Sequence, residues 1–321
     1  MKSVPQRETN PFPYSDSNKR YHTYDYYLRR AFGAKCAKIP LDGGFTCPNR
    51  DGTKGVGGCI YCSARGSGEF APEACLPIAQ QYEQSRELLR AKWGEVKCIP
   101  YFQANTNTYA PVSRLRELFN EAIALPDAVG LNVATRADCL PDEVLDLLAE
   151  LSEKTVLTVE LGLQTVHDET AAAINRGHTY ADFLCGYCRL RERVPRARIG
   201  VHLILGLIGE NDEMMVESAQ RVAELRPDEV KLHSLYVLEN TKMAEIYRNG
   251  GYKPIELDHY VDLVTTCIRC MPPETVIGRL TGDAPRNALL APMWTRNKRL
   301  VLNKIDKKFY QENIWQGKEL Y

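Results

Sequence analysis

Cys47, Cys59 and Cys62 are the residues of this chain best suited to do chemistry. They stand in the run Cys47-Pro48-Asn49-Arg50-Asp51-Gly52, then Gly55-Val56-Gly57-Gly58, then Cys59-Ile60-Tyr61-Cys62. Three thiolates can hold three irons of a 4Fe-4S cluster and leave the fourth iron open. An open iron can bind a small molecule and pass it an electron. The loop glycines let backbone N–H groups approach cluster sulfurs. The Tyr61 ring, next to the last cysteine, can cover a bound adenine. Structural zinc is the competing chemistry: Cys59-x2-Cys62 is a good half-knuckle, and Cys47 with Cys36 or Cys75 completes four ligands.

Such a loop must be positioned by a scaffold. Strand-like apolar runs are expected at 36–41, 96–103, 129–134, 155–163, 199–205 and 229–235. Between and after them, amphipathic periodicity predicts helices at 77–93, 112–124, 141–153, 168–174, 180–193, 212–225 and 243–248. This α/β alternation of six βα units predicts a parallel sheet with helical crossovers. The expected architecture is a partial (β/α)6 TIM-like barrel, with its site at the C-terminal ends of the strands. The cysteine loop directly follows the first strand. Residues 1–30 read as an N-terminal extension and 31–251 as the barrel core. Residues 252–321 read as a small C-terminal α/β subdomain with a helix at 256–270 and a strand at 275–280.

Hydrophobic residues make up 44% of the 321, enough for a sizeable core. The 41 basic and 41 acidic residues cancel, so no global field steers the chain toward nucleic acid or an anionic membrane. The segment Met1 to Lys19 is polar and lacks a signal-peptide core. No apolar run approaches membrane-spanning length. The chain therefore reads as cytoplasmic, with reduced thiols and no membrane partner. In that setting close cysteine spacing points to metal binding or catalysis rather than a disulfide.

Polar candidates cluster at the predicted strand ends. The second strand runs into Tyr101-Phe102-Gln103-Ala104-Asn105, where Gln103 and Asn105 can contact a ligand. The fourth ends Val159-Glu160-Leu161-Gly162-Leu163-Gln164 and leads to Asn175-Arg176-Gly177-His178-Thr179. Glu160, Gly162 and Gln164 share one strand face. Glu160 is either a site residue or a buried carboxylate paired with a basic neighbour. The fifth strand carries His202, a cofactor or substrate contact or else a satisfied core histidine. At the end of the third, Arg136 and Asp138 read as a structural pair at the barrel mouth.

With these motifs assembled, the chain resembles the radical S-adenosylmethionine (SAM) enzymes. The run Asp42-Gly43-Gly44-Phe45-Thr46-Cys47-Pro48-Asn49-Arg50-Asp51-Gly52 is similar to the YhcC/YtqA-type family, and the similarity extends over nearly the whole chain. The wide gap between Cys47 and Cys59 resembles the expanded loop of the Elongator catalytic subunit group. The Gly162-to-Gln164 and Asn175-to-Thr179 segments resemble that group and the oxygen-independent coproporphyrinogen oxidases. The resemblance implies that Cys47, Cys59 and Cys62 ligate the cluster. It further implies that SAM chelates the open iron and is split by one electron into methionine and a 5′-deoxyadenosyl radical.

The same resemblance implies Gln103 and Asn105 near the methionine amino group, where relatives usually carry a Gly-Gly turn. It implies Gln164 at the ribose hydroxyls and Arg176 at the cofactor carboxylate, with His202 as a further cofactor or substrate contact; Glu160 joins these candidates by sharing the strand face of Gly162 and Gln164. Ala134 stands where relatives commonly place an acidic residue. An electron donor of the flavodoxin or ferredoxin type is implied as partner, and an RNA base as a candidate substrate. No acetyltransferase domain follows, so the Elongator reaction is not carried over.

Two other function classes compete: a zinc-stabilised binding protein, and a regulator that binds cluster and SAM without turnover. The pairs Cys185/Cys188 and Cys267/Cys270 fall on predicted helices and are expected to pack in the core. Cys36, Cys75, Cys98 and Cys139 are expected to be structural thiols. His233, Tyr236 and Glu239 are candidates for the substrate side. The basic residues from Arg296 to Lys308 read as a solvated helix face rather than an RNA contact.

Overall fold

The structure is a computed structural model and describes residues 10–320. Residues 1–9 of the expected N-terminal extension lie outside the described residues. In chain order the elements are α1 (Tyr24–Phe32), β1 (Cys36–Leu41), α2 (Ile78–Trp93), β2 (Lys97–Phe102), α3 (Val112–Ile123), β3 (Gly130–Thr135), α4 (Asp142–Lys154) and β4 (Val156–Gln164). They continue as α5 (Asp168–Ala173), α6 (Tyr180–Arg193), β5 (Arg198–Leu205), α7 (Asp212–Glu224), β6 (Glu229–Ser234), β7 (Val237–Leu238) and α8 (Lys242–Arg248). The last are α9 (Leu257–Arg269), β8 (Val276–Arg279), β9 (Leu289–Ala291) and α10 (Lys298–Gln311).

The main sheet is parallel and ordered β1-β2-β3-β4-β5-β6-β8. Strand order follows chain order with no reversal. Right-handed crossovers that all step in one direction place every helix on the same face. The other face curls inward as a lumen, giving the partial TIM-like barrel. Alternation along each strand sorts the side chains accordingly. Ile39, Leu41, Phe102, Val133, Val159, Leu161, Val201, Leu203, Val230 and Leu232 pack outward into the helix layer. Lys38, Tyr101, Asn132, Glu160, His202, Lys231 and Arg279 alternate with them and face the lumen.

The six expected strands are all present. The strand expected at 275–280 is β8, and it is the seventh strand of this same sheet, hydrogen-bonded to β6. The step from β6 passes through β7, α8 and α9, so the long crossover hides the pairing in the sequence. Two elements fall in segments without an expectation: α1, and the β7–β9 antiparallel ribbon. α1 touches both edge strands, β1 and β8. Thr23 just before it bridges Ile277 in parallel fashion, with the Ile277 N–H donating to the His22 carbonyl at 2.7 Å. α1 thus lies across the N-terminal end of the open barrel. The Tyr24 ring is 4.2 Å from Lys38 Nζ and the Tyr27 ring 3.8 Å from Arg198 Cζ. α10 buries Val301, Ile305 and Phe309 and packs on α9. Lys304 and Lys308 border that contact and pair with Asp258 at 2.5 Å and Asp262 at 2.8 Å on α9. Among the described residues, no helix is long and apolar enough to cross a membrane.

Candidate active site

The three cysteines and the seven candidate cofactor contacts line one cavity at the C-terminal ends of the strands; His233 and Tyr236 line it too, whereas Glu239 stands outside it, paired with Arg248. They come from separate loops and strands, and the curl of the sheet brings them together. Three features build the site: the cysteine loop, the turn that clamps it, and a charged floor in the lumen.

Cys47, Cys59 and Cys62 are free thiols at partly buried positions. Burial pushes the Cys62 thiol up to about 11, while the Arg50 guanidinium pulls it the other way. Arg50 Nη2 lies 3.2 Å from Cys62 Sγ, and Asn49 Nδ2 lies 3.8 Å from Cys59 Sγ. Three thiolates are one short of a closed tetrahedral zinc site and are the number that a 4Fe-4S cluster with one open iron takes, so the donor set fits the cluster.

The long loop between Cys47 and Cys59 is held by the Asn175–His178 turn. Asn49 Nδ2 donates to the Asn175 carbonyl, and Asn175 Nδ2 donates to the carbonyls of Val56 at 3.1 Å and Gly58 at 2.8 Å. The Ile60 N–H donates to the Ile174 carbonyl at 3.0 Å. Gly177 has φ +71°, and a Cβ there would stand 2.4 Å from Asn49 Oδ1. Gly177→Ala is expected to cost about 1–2 kcal/mol from the left-handed backbone alone. Iron retention should fall with it as Asn49 is displaced; unfolding by urea and iron content per chain read the two effects.

Beneath that turn, Arg136 and Asp138 form the pair expected at the mouth, with Nε–Oδ1 at 2.9 Å and Nη2–Oδ2 at 2.8 Å. Arg136 also donates to the carbonyls of Arg176 at 2.8 Å and Gly177 at 3.0 Å, and Lys54 of the cysteine loop reaches Asp138 at 2.7 Å. Burial would raise the Asp138 carboxyl, but Arg136 outweighs it and holds it well below the usual range. His178 is buried beside this pair with neither ring nitrogen hydrogen-bonded. Burial first, and the Arg176 charge second, push it from 6.5 down to about 3.

The unfolded chain therefore protonates its imidazole first. Stability is complete above about 6.5 and is lost as pH falls toward about 3. His178→Asn is expected to flatten the dependence of the urea midpoint on pH between about pH 7 and pH 5. An unchanged slope would remove His178 from this role.

The lumen floor centres on Glu160, which is fully buried. Oε1 accepts from Lys38 Nζ at 2.7 Å and Asn132 Nδ2 at 2.9 Å. Oε2 accepts from the Tyr101 hydroxyl at 2.6 Å, His202 Nε2 at 2.9 Å and Lys231 Nζ. Strand register produces this convergence: Tyr101 pairs with Asn132, and His202 with Lys231. Gly200 sits opposite Glu160 in the register, where a Cβ would stand 3.3 Å from Glu160 Cγ.

Burial would raise the Glu160 carboxyl, but Lys231 and then Lys38 hold it well below the ordinary value. Burial pushes the Lys231 ammonium down to about 8; Glu160 opposes that shift and Lys38 adds to it. His202 is lowered by burial and by Lys231, and its hydrogen bond to Glu160 places the proton on Nε2. Glu160 is thus the carboxylate paired with basic neighbours, and its acceptor sites are filled from within the protein.

Arg176 Nη2 donates to the Gly162 carbonyl, while its buried Nε has no partner. Asn105 has φ +58°, donates to the Phe45 carbonyl at 3.0 Å and keeps a buried, unpartnered Oδ1. Gln103 Nε2 donates to the Ser67 carbonyl at 2.7 Å. Gln164 has φ +77° at the end of β4. Tyr61 packs with Ile204, Ile208 and Tyr252 against a small apolar cluster that includes Ile60, Leu207 and Leu235. Orphaned polar atoms beside three free cysteines and an apolar wall suit a polar, aromatic-bearing cofactor.

The Radical SAM superfamily profile matches residues 47–222, beginning at Cys47, and the Radical_SAM C-terminal domain profile matches 227–311. The chain belongs to the radical SAM superfamily. It is 47% identical to YtqA of Bacillus subtilis, over 97% of this chain and 96% of that protein. It is 40% identical to YhcC of Escherichia coli K12, over 91% and 93%. In fold it matches an archaeal Elp3 from Methanocaldococcus infernus at TM-score 0.62 and 18% identity, covering 88% of this chain and 64% of that one. This radical SAM enzyme takes its class of chemistry from the superfamily, which implies a 4Fe-4S cluster, SAM and a reductant.

The cysteines outside the loop divide differently from expectation. Cys267 and Cys270 are buried, but Cys185 and Cys188 are exposed. α6 buries Phe183, Gly186, Tyr187 and Leu190, so the two cysteines lie off its buried face. Cys75 is also exposed, whereas Cys98 and Cys139 are buried. Sequence reasoning passed over Asn49, Arg50, Lys38, Lys231 and Arg279. A basic residue between Glu229 and His233 at alternating strand positions was the available signal for Lys231; Lys38 and Arg279 stand beside apolar neighbours on their strands and carried none.

Proposed function

We propose that this protein cleaves SAM reductively at a 4Fe-4S cluster held by Cys47, Cys59 and Cys62. When bound, the cluster supplies the electron that converts SAM into methionine and a 5′-deoxyadenosyl radical. The observation that carries this reading is the gathering of the three cysteines and the seven candidate cofactor contacts around one cavity in a chain of this superfamily. Arg50 and Asn49 donate toward the cysteine sulfurs and fix the loop. Arg176, with its unpartnered Nε, receives the SAM carboxylate. Asn105 Oδ1 accepts from the amino group, and Gln103 and Gln164 flank the methionine and ribose. The Tyr61 wall covers adenine. Glu160 and His202 form the floor under the cofactor and hold Lys231 in place.

Partial similarity to the tRNA uridine(34) acetyltransferase of Methanocaldococcus jannaschii supports an RNA base as the first substrate class to try. That match is 26% identical over 50% of this chain and 30% of that protein. Anaerobic reconstitution with iron and sulfide, followed by reduction in the presence of SAM, tests the core reading. 5′-Deoxyadenosine and methionine are expected in equal amounts. Failure to bind iron and sulfide favours a zinc protein, and cluster binding without product favours a regulator.

A further inference from the structure

The lumen floor carries the inward-facing cations Lys38, Lys231 and Arg279 and the carboxylates Glu160 and Glu229, with Arg198 at the start of β5 turned to the Tyr27 ring. Lys38 is shared between Glu160 at 2.7 Å and Glu229 at 3.4 Å, and Lys231 is paired with Glu160. Arg279, on the edge strand β8 beside Lys231, has no carboxylate within ion-pair distance among the described residues. It lines the same cavity as Cys59 and Cys62. His233 lines it too, two residues along β6 from Lys231 and on the same face, and its Nε2 is buried without a partner. Asp283 lies on the cavity wall but outside ion-pair distance of Arg279.

A guanidinium in a partly desolvated cavity gains most from a carboxylate or phosphate, which its two-pronged face matches. The other guanidinium assigned to an anion, Arg176, is bonded to Gly162 on β4 and serves the cofactor. We propose that Arg279, with His233 Nε2 beside it as an N–H donor, seats an anionic group of the substrate, a carboxylate or a phosphate. The group anchors on the β6–β8 side of the lumen and leaves the rest of the substrate to extend toward the cysteine loop. This inference rests on the proposed SAM chemistry for its meaning, but its test does not need turnover.

Cluster-loaded protein is kept oxidised and saturated with SAM, then titrated calorimetrically with inorganic phosphate in one arm and malonate in the other. The wild-type chain is expected to bind at least one of them, and the better arm names the anion class. Arg279→Ala should weaken that binding by about tenfold or more, the loss of one charge-assisted pair. Arg279→Lys should fall between, because it keeps the charge and loses the fork. SAM affinity and substrate-free 5′-deoxyadenosine formation should stay within about twofold. Asp283→Asn should leave anion binding equal or tighter.

The proposal is overturned if the wild-type chain binds neither anion, or if Arg279→Ala binds it equally well. It is also overturned if Arg279→Ala loses SAM instead, since Arg279 would then hold the cofactor carboxylate. Equal drops in melting temperature for Asp283→Asn and Arg279→Ala would mark a structural ion pair and likewise sink it. A chain that takes up no cluster or SAM defeats the proposed activity, while the anion titration on that same chain still reads the Arg279 site.

Discussion

Cys59→Ala is expected to bring reductive SAM cleavage to background, with no 5′-deoxyadenosine above the unreduced control. Two cysteines cannot hold three irons, and no neighbour replaces the third: among the described residues the loop offers only Cys47, Cys59 and Cys62 in the cavity. Cys47→Ala and Cys62→Ala should behave alike. Cys185→Ala and Cys188→Ala, exposed on α6, should retain wild-type iron and turnover. Cys36→Ala and Cys75→Ala discriminate the metal. A zinc site completed by either one would lose its metal on that substitution, whereas a three-cysteine cluster would not. Iron, sulfide and zinc per chain, measured with product formation, decide the matter. Full turnover by Cys59→Ala would remove it from the ligand set.

Glu160→Ala is expected to be the most destabilising substitution in the barrel, by about 3–5 kcal/mol. It strips two buried ammonium groups of their principal counter-charge and orphans the donors of Tyr101, Asn132 and His202. Lys38 would keep only Glu229, at 3.4 Å. Lys231, already pushed down to about 8 by burial, would fall further and lose its proton near neutral pH. Glu160→Leu combined with Lys231→Met should recover part of the loss, because no uncompensated charge pair is then left half-buried. The urea midpoint at constant m-value measures each change. A Glu160→Ala chain as stable as the wild type would show that the five-donor arrangement is not what holds the floor together.

Both experiments probe features that were unequally legible in the sequence. The cysteine loop was legible because ligand spacing, glycine content and a preceding strand are all local. The Asn175-Arg176-Gly177-His178 turn was also visible, but its mechanical role was not. Asn175 and Asn49 are 126 positions apart, and only the curl of the sheet places the turn against the loop. The exposed Cys185 and Cys188 show the limit of composition. An apolar-rich helix says which residues can be buried, while the face chosen depends on what it packs against.

The sequence by itself determined the spacing of the three cysteines proposed to hold a cluster, the βα order and hence a parallel sheet with one helical layer, because local spacing and periodicity encode these directly. Only the tertiary structure decided the lumen. Register sets Tyr101, Asn132, His202 and Lys231 around Glu160, each from a different strand. β8 closes onto β6 across two helices and brings Arg279 inward. A one-residue slip in any strand would turn these side chains to the opposite face. The charged floor is therefore a property of strand pairing rather than of any segment.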